Sequence, residues 1–139
     1  MQDFVHLHVH TQYSILDGQA SISKLVDKAI ADGMKGIAVT DHGDMFGIKE
    51  FFNYVNKKNG KTNGEIKDLK KRIVALEKGK IESENPEAEI MACKEQLEAT
   101  RKKLFKPIFG CEMYVARRRL FNKEGKPDQS GYHLVVLAK

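Results

Sequence analysis

Three of the chain's five histidines occupy alternate positions near its start, in Phe4-Val5-His6-Leu7-His8-Val9-His10-Thr11. With a period of two, a strand sends His6, His8 and His10 to one face and Val5, Leu7 and Val9 to the other. His8 and His10 then stand roughly 7 Å apart along the backbone, near enough for their imidazoles to converge on one ion. Neutral imidazole suits zinc, manganese and iron. An HxH pair by itself is a moderate signal, because an exposed strand face can carry histidines without any ion.

Further ionisable groups recur where strands are expected to end. Asp17 lies in the loop after the histidines. Asp41 and His42 close a second apolar run, "KGIAVTDHG" (35–43). Glu112 lies inside "KPIFGCEMYVA" (106–116), and His133 opens "YHLVVLAK" (132–139). In parallel α/β folds the binding and reacting groups gather at the carboxyl ends of strands and in the loops that follow. Imidazoles and carboxylates gathered there repel one another or stay unsatisfied unless a cation joins them. Plainer readings stand beside this one. His6, deepest in the strand, suits a structural role, and Asp17-Gly18 suits a simple turn. Asp41 either caps the next helix or hydrogen-bonds a ligand histidine from behind, and the latter is preferred. Arg117, Arg118 and Arg119 read as a solvated surface run.

The elements that must position these groups can be placed from apolar spacing. Residues 3–10 read as a strand. Ser21 then caps a helix whose stripe is Ile22, Leu25, Val26, Ala29 and Ile30, and Gly33 ends it. The 35–43 run is a short buried strand, with a second helix from about Phe46 to Asn56. Residues 57–105 have a different texture. Ile66, Leu69, Ile73 and Leu76 repeat at helical spacing, as do Ile90, Cys93 and Leu97, with Leu104 seven positions on. Asn85-Pro86 is a helix start between the two sets. This predicts an inserted α-helical hairpin at about 60–105, which "NKKNGKTNG" leads into and Pro107 closes. Two more strands follow, at 106–116 and 132–139. The order predicts an α/β fold with a parallel sheet or barrel. A complete barrel takes on the order of 250 residues, so the core at 1–56 and 106–139 amounts to part of one.

Composition narrows the classes. At 41% hydrophobic residues a core can form. No apolar run approaches the roughly 18 residues of a membrane span, and the start lacks a signal-peptide pattern, so a cytoplasmic protein without membrane contact is expected. Cys93 and Cys111 read as reduced thiols. The net charge of +5 is unevenly placed: residues 57–106 hold 14 Lys/Arg and 9 Asp/Glu, which leaves ten of each sign elsewhere. A lysine-rich solvated helix is the commoner meaning of such a block, with nucleic-acid contact the alternative.

Taken in order, "HLHVHTQYSILDG", "IAVTDHG", "GCEMYVA" and "YHLVVLAK" resemble the polymerase-and-histidinol-phosphatase (PHP) domain. The version at the N-terminus of bacterial replicative DNA polymerase III alpha chains is the nearest likeness, over about residues 1–56 and 106–139. The resemblance implies a distorted, seven-stranded (β/α)7 barrel holding up to three divalent metal ions, zinc, manganese or iron, that bind phosphate and activate water for phosphoester hydrolysis. By position, His8, His10, Asp17, His42, Glu112 and His133 are similar to its metal ligands. It also implies a place in DNA replication, within a nucleotidyltransferase whose partners are DNA, the remainder of the alpha chain, a proofreading subunit and other replisome components. A DNA 3′ end, for a 3′–5′ exonuclease, and pyrophosphate are equally open as substrates. A metal-braced structural module is one alternative, and a stand-alone histidinol-phosphatase-like phosphatase a weaker one. The helical insertion departs from the family pattern. The chain also stops before the strands that supply the family's remaining ligands, so a piece of a longer chain is expected, holding fewer ions and weak in catalysis.

Overall fold

The computed structural model describes residues 4–119, 121, 124, 125 and 131–139. Among these the chain is a mixed α/β fold with four helices and a three-stranded sheet of order β1-β2-β3. It divides into two compact units, one of residues up to Val55 and from Lys106 onward, the other Asn56–Phe105.

In the first unit, α1 (Ile22–Ala31) buries Ile22, Val26 and Ala29 along one stripe. Gly33 follows with φ 77°, the left-handed conformation that commonly ends helices. Ser21 sits at the N-cap position, although its hydroxyl caps no helix amide. β1 (Gly36–Val39) is buried throughout, as a short apolar run covered on both faces should be. α2 (Ile48–Lys58) buries Phe51 and Val55, and the Phe51 ring meets Phe109 edge-on at 5.7 Å between centroids.

β1 runs parallel to β2 (Lys106–Val115), from Gly36↔Lys106 to Val39↔Phe109. An isolated parallel bridge, His42↔Glu112, extends this pairing past the end of β1. β2 then pairs antiparallel with β3 (Tyr132–Leu137), from Gly110↔Leu137 to Val115↔Tyr132. The parallel sheet expected from the element order is therefore mixed. The reversal matters for function, because the start of an antiparallel strand lies at the same sheet edge as the ends of parallel ones.

The N-terminal histidine segment corrects a second expectation. It lies along β1, where the Ala38 amide donates to His6 O and the Thr40 amide to Val9 O, each at 2.9 Å, yet residues 4–10 form no regular strand. Three residues of the segment span two of β1, so one residue is extra. The cause is Thr40: its hydroxyl accepts the Val9 amide at 2.9 Å, where a ladder carbonyl would otherwise be. Strict alternation is lost, and Leu7 is exposed.

In the second unit, α3 (Gly60–Glu77) and α4 (Pro86–Arg101) bury Ile73, Cys93 and Leu97 between them, with Ile66, Leu69 and Ile90 packed alongside. α4 ends before Leu104, and Pro107 already belongs to β2. The stretch "NKKNGKTNG" is helical on both sides of Asn59, against the poor helix propensity of Asn and Gly. Asn59 is held at the junction because its side-chain amide donates to Phe105 O at 2.8 Å and accepts from Phe105 N at 3.1 Å. At α4, Asn85 accepts the Ala88 amide at 3.1 Å and Pro86 follows in the first turn. Replacing Asn85 by alanine is expected to cost about 1 kcal/mol, read as a lower urea midpoint of the helical signal. An unchanged midpoint would show the cap to be dispensable. No helix among the described residues is long and apolar enough to cross a membrane.

Candidate metal centre

The six side chains singled out by residue type are brought together. Ligand atoms lie within 4.8 Å of one another in each of three overlapping groups: His8, His10 and Glu112; His10, Asp17 and His42; His42, Glu112 and His133. Sheet register explains the meeting. The His42↔Glu112 bridge sets those residues level across β1 and β2, and His133 is paired with Tyr114, two positions beyond Glu112 on the same face. The N-terminal segment brings His8 and His10 over the same edge, their rings edge-on at 4.8 Å. Asp17 arrives on the turn of residues 11–18, where the Gly18 amide donates to Ser14 O at 2.7 Å. That turn needs a glycine, since a Cβ at Gly18 would lie 1.9 Å from Thr11 O.

Glu112 is the hub. It accepts from His10 Nε2 at 2.5 Å and from His133 Nδ1 at 2.7 Å, and His8 Nε2 lies 3.5 Å away. Burial pushes its pKa up, but hydrogen bonds from His10 and His133, with the His10 and His42 charges, outweigh burial and hold it below the usual glutamate value. Asp17 is also held low, chiefly by its hydrogen bond from His42 Nδ1 at 2.9 Å, against opposing burial. His10 faces a carboxylate from each nitrogen, Glu112 at 2.5 Å and Asp17 at 3.2 Å. A neutral imidazole has one N–H and can satisfy only one of them.

Two observations test whether this donor set fits a cation. His42 gives Nδ1 to Asp17, and its Nε2 is buried with no hydrogen-bond partner among the described residues. A buried lone pair of that kind is costly unless a ligand takes it. The second concerns His8, whose Nδ1 lies 2.9 Å from Thr40 Oγ1. That hydroxyl also lies 3.2 Å from Val9 O; when its one hydrogen goes there, His8 Nδ1 donates to it and His8 Nε2 carries a lone pair toward Glu112. Lone pairs aimed at a carboxylate are repulsive until positive charge sits between them. The residues present fit a divalent ion bound by nitrogen and oxygen donors.

Asp41 behaves otherwise than expected. Its buried carboxylate accepts from the Thr11 amide at 2.5 Å, the Thr11 hydroxyl at 2.9 Å and the Ser14 hydroxyl at 3.1 Å; it does not reach a histidine. It pins the turn that carries Asp17, and Ser14 Oγ in turn accepts the His42 amide at 2.9 Å. His6 stays apart, its ring edge-on to Phe4. Arg117 lies over the Tyr132 ring. Residues that sequence reasoning passed over are Thr40, Thr11, Ser14 and Tyr114. Thr40 was findable only as the neighbour of Asp41, and Tyr114 as the aromatic on Glu112's face. Tyr114 lies 5.0 Å from the His42 ring and 5.1 Å from His133. A cleft walled by Tyr13, Leu16 and Tyr114 opens beside Asp17 and His42.

Thr40→Val removes the hydroxyl that His8 Nδ1 meets while nearly keeping the side-chain volume. It is expected to weaken divalent-ion affinity roughly 10- to 100-fold, measured by titration against a competing chelator. Unchanged affinity would mean that His8 needs no orienting partner.

A family model described as the PHP domain matches residues 6–139. The DNA polymerase III subunit alpha of Borreliella burgdorferi is 34% identical over 139 residues, covering 98% of this chain and 8% of that protein. The protein of the same name from Treponema pallidum is 32% identical over 137 residues, again 98% and 8%. In Aquifex aeolicus the same-named protein is 51% identical over 51 residues, 37% of this chain. The chain thus spans about 8% of the length of the first two relatives.

Proposed function

The chain belongs to the PHP domain family, and from that premise we propose that it is the metal-binding, phosphoesterase-type module at the N-terminus of a bacterial replicative DNA polymerase III alpha subunit. The convergence of His8, His10, Asp17, His42, Glu112 and His133 in three overlapping groups carries the reading. On this view the sheet is part of a distorted (β/α)7 barrel and Asn56–Phe105 is a hairpin inserted into it. The parent is a cytoplasmic replication enzyme whose partners are DNA, the rest of the alpha chain and a proofreading subunit.

These six residues would hold divalent zinc, manganese or iron. Such ions lower the pKa of bound water and neutralise charge on phosphoryl oxygens. The chain's own groups prepare the site. Glu112 and Asp17 supply anionic oxygens, and Thr40 Oγ1 holds His8 by its Nδ1, leaving Nε2 toward Glu112. Asp41, through Thr11 and Ser14, fixes the turn bearing Asp17 and the backbone at His42. The cleft beside Asp17 leaves room for a phosphoryl substrate, either the phosphodiester at a DNA 3′ end, in a 3′–5′ exonuclease, or the phosphoanhydride pyrophosphate.

Elemental analysis of the untagged chain, beside a His8→Ala/His10→Ala double variant, tests the reading. About one equivalent or more of zinc, manganese or iron, lost in the variant, is expected. No metal in either protein after reconstitution overturns it. A second reading rests on where the six residues come from: the N-terminal segment, the 11–18 turn, the end of β1, and β2 and β3, which an ion would cross-link as a brace. If chelation lowers the unfolding midpoint while the full-length polymerase with these residues intact leaves 3′ ends and pyrophosphate untouched, bracing is the function.

A further inference from the structure

The positive excess of this chain has a defined face. α3 packs on α4 through Ile66, Leu69 and Ile73. Lys67, Lys70, Lys71 and Lys78 surround half-exposed Val74 in one open groove that Ile66 and Ala75 also line, with Lys78 capping the helix and Lys80 just past its end. Positions 67, 71, 74 and 78 follow one another at steps of four, three and four, so they fall in line along the helix. The line from 67 to 78 is about 16 Å long. Its lysines are poorly neutralised. Lys71 has Asp68 at 3.8 Å, while Glu77 turns to Lys94 and Glu89 to Arg72. Among the described residues Lys67, Lys70, Lys78 and Lys80 have no acidic partner. Like charges at three- and four-residue spacing destabilise a helix, and a polyanion laid along the stripe would reverse that cost.

We propose that this α3 stripe binds the phosphate backbone of nucleic acid without regard to sequence. Its chemistry separates that partner from an acidic protein. Protein interfaces favour arginine and aromatic anchors and are depleted in lysine, and this stripe has neither anchor. Phosphates need only point cations in a row, which lysine supplies. The metal centre plays no part in the inference, so the two stand or fall separately.

The test is fluorescence anisotropy of a fluorescein-labelled, twenty-base-pair duplex of mixed sequence, titrated with the whole chain between about 50 and 200 mM KCl. Log affinity should fall against log salt with a slope of about −3 to −4 for four phosphate contacts. The variant K67Q/K70Q/K71Q/K78Q should flatten the slope by about 3 and weaken binding at least about tenfold at low salt; K70Q/K78Q should flatten it by about 2. A control losing the same charge elsewhere, K24Q/K28Q/K49Q/K102Q, should keep its slope. Helical circular dichroism should be unchanged in all three. Equal loss in stripe and control variants overturns the proposal, as does absence of salt-dependent duplex binding. So does a synthetic acidic amphipathic peptide that binds the stripe when the duplex does not.

Discussion

With Glu112 among the proposed ligands, its exchange for glutamine is expected to leave under about a tenth of an equivalent of divalent ion where the parent chain is expected to hold one or more. Glu112 belongs to two of the three ligand groups and touches His8, His10 and His133. Glutamine keeps its length and planar end but removes the charge, and one of its two terminal atoms becomes a donor facing the imidazoles. Outer partners of metal ligands already change affinity 10- to 100-fold, so loss of a direct anionic ligand should weaken binding by about 100-fold or more. Glu112→Asp keeps the charge and withdraws it by one methylene, and should fall between. His133→Ala should do less, because His133 enters one group only. Chelator-competition titration, with circular dichroism to show that each variant is folded, separates these cases. Full metal content in folded Glu112→Gln would place the ion elsewhere and break the assignment of the hub.

What sequence could and could not convey divides along physical lines. Periodicities of 3.6 and 2 report which side of an element is apolar, so α1, the α3/α4 hairpin, β2 and β3 were legible from Ile22-Val26-Ala29, Ile66-Leu69-Ile73 and the 106–116 and 132–139 runs. The same patterns say nothing about strand direction. That β3 returns antiparallel is a tertiary fact, and it is what carries His133, the second residue of its strand, to the edge where Glu112 and His42 lie. Alternation misled at residues 4–10, the described part of the 3–10 run, for a different reason: a single hydroxyl, on Thr40, replaced a ladder partner and admitted an extra residue. The helicity of "NKKNGKTNG" also ran against propensity. There, burial of neighbouring apolar stripes and the Asn59–Phe105 amide clamp outweigh a cost of about 1 kcal/mol for each glycine. The candidate site was legible as residue types, since six His, Asp and Glu side chains have few other reasons to recur at strand ends. The support beneath it was not, because Thr, Ser and Tyr are too common to stand out before their partners are known.

Asp41 is the place where that hidden support can be weighed. Asp41→Ala is expected to destabilise the chain by about 4 kcal/mol, within the range for removing one partner of a buried, charged hydrogen-bond set. Asp41, Thr11 and Ser14 are each at most 2% exposed, so water cannot take over the three donors that the carboxylate satisfies. Asp41→Asn should recover part of the loss, since its amide oxygen still accepts from Thr11 N while its NH2 group confronts the Thr11 hydroxyl. Ser14→Ala should cost only about 1 kcal/mol, yet it alone of the three removes the acceptor of the His42 amide. Urea unfolding of the metal-free variants gives the stability order, Asp41→Ala far below Asp41→Asn and Ser14→Ala nearest the parent. Ion affinity measured on the variants that remain folded gives a second order. If Asp41 acts only as a structural anchor, affinity will not follow stability loss; if it positions the metal centre, Ser14→Ala will weaken ion binding out of proportion to its small effect on folding. A small loss for Asp41→Ala would mean that the 11–18 turn is held by its glycine and backbone bonds alone, and ion affinity of that variant then decides whether the buried carboxylate serves the site.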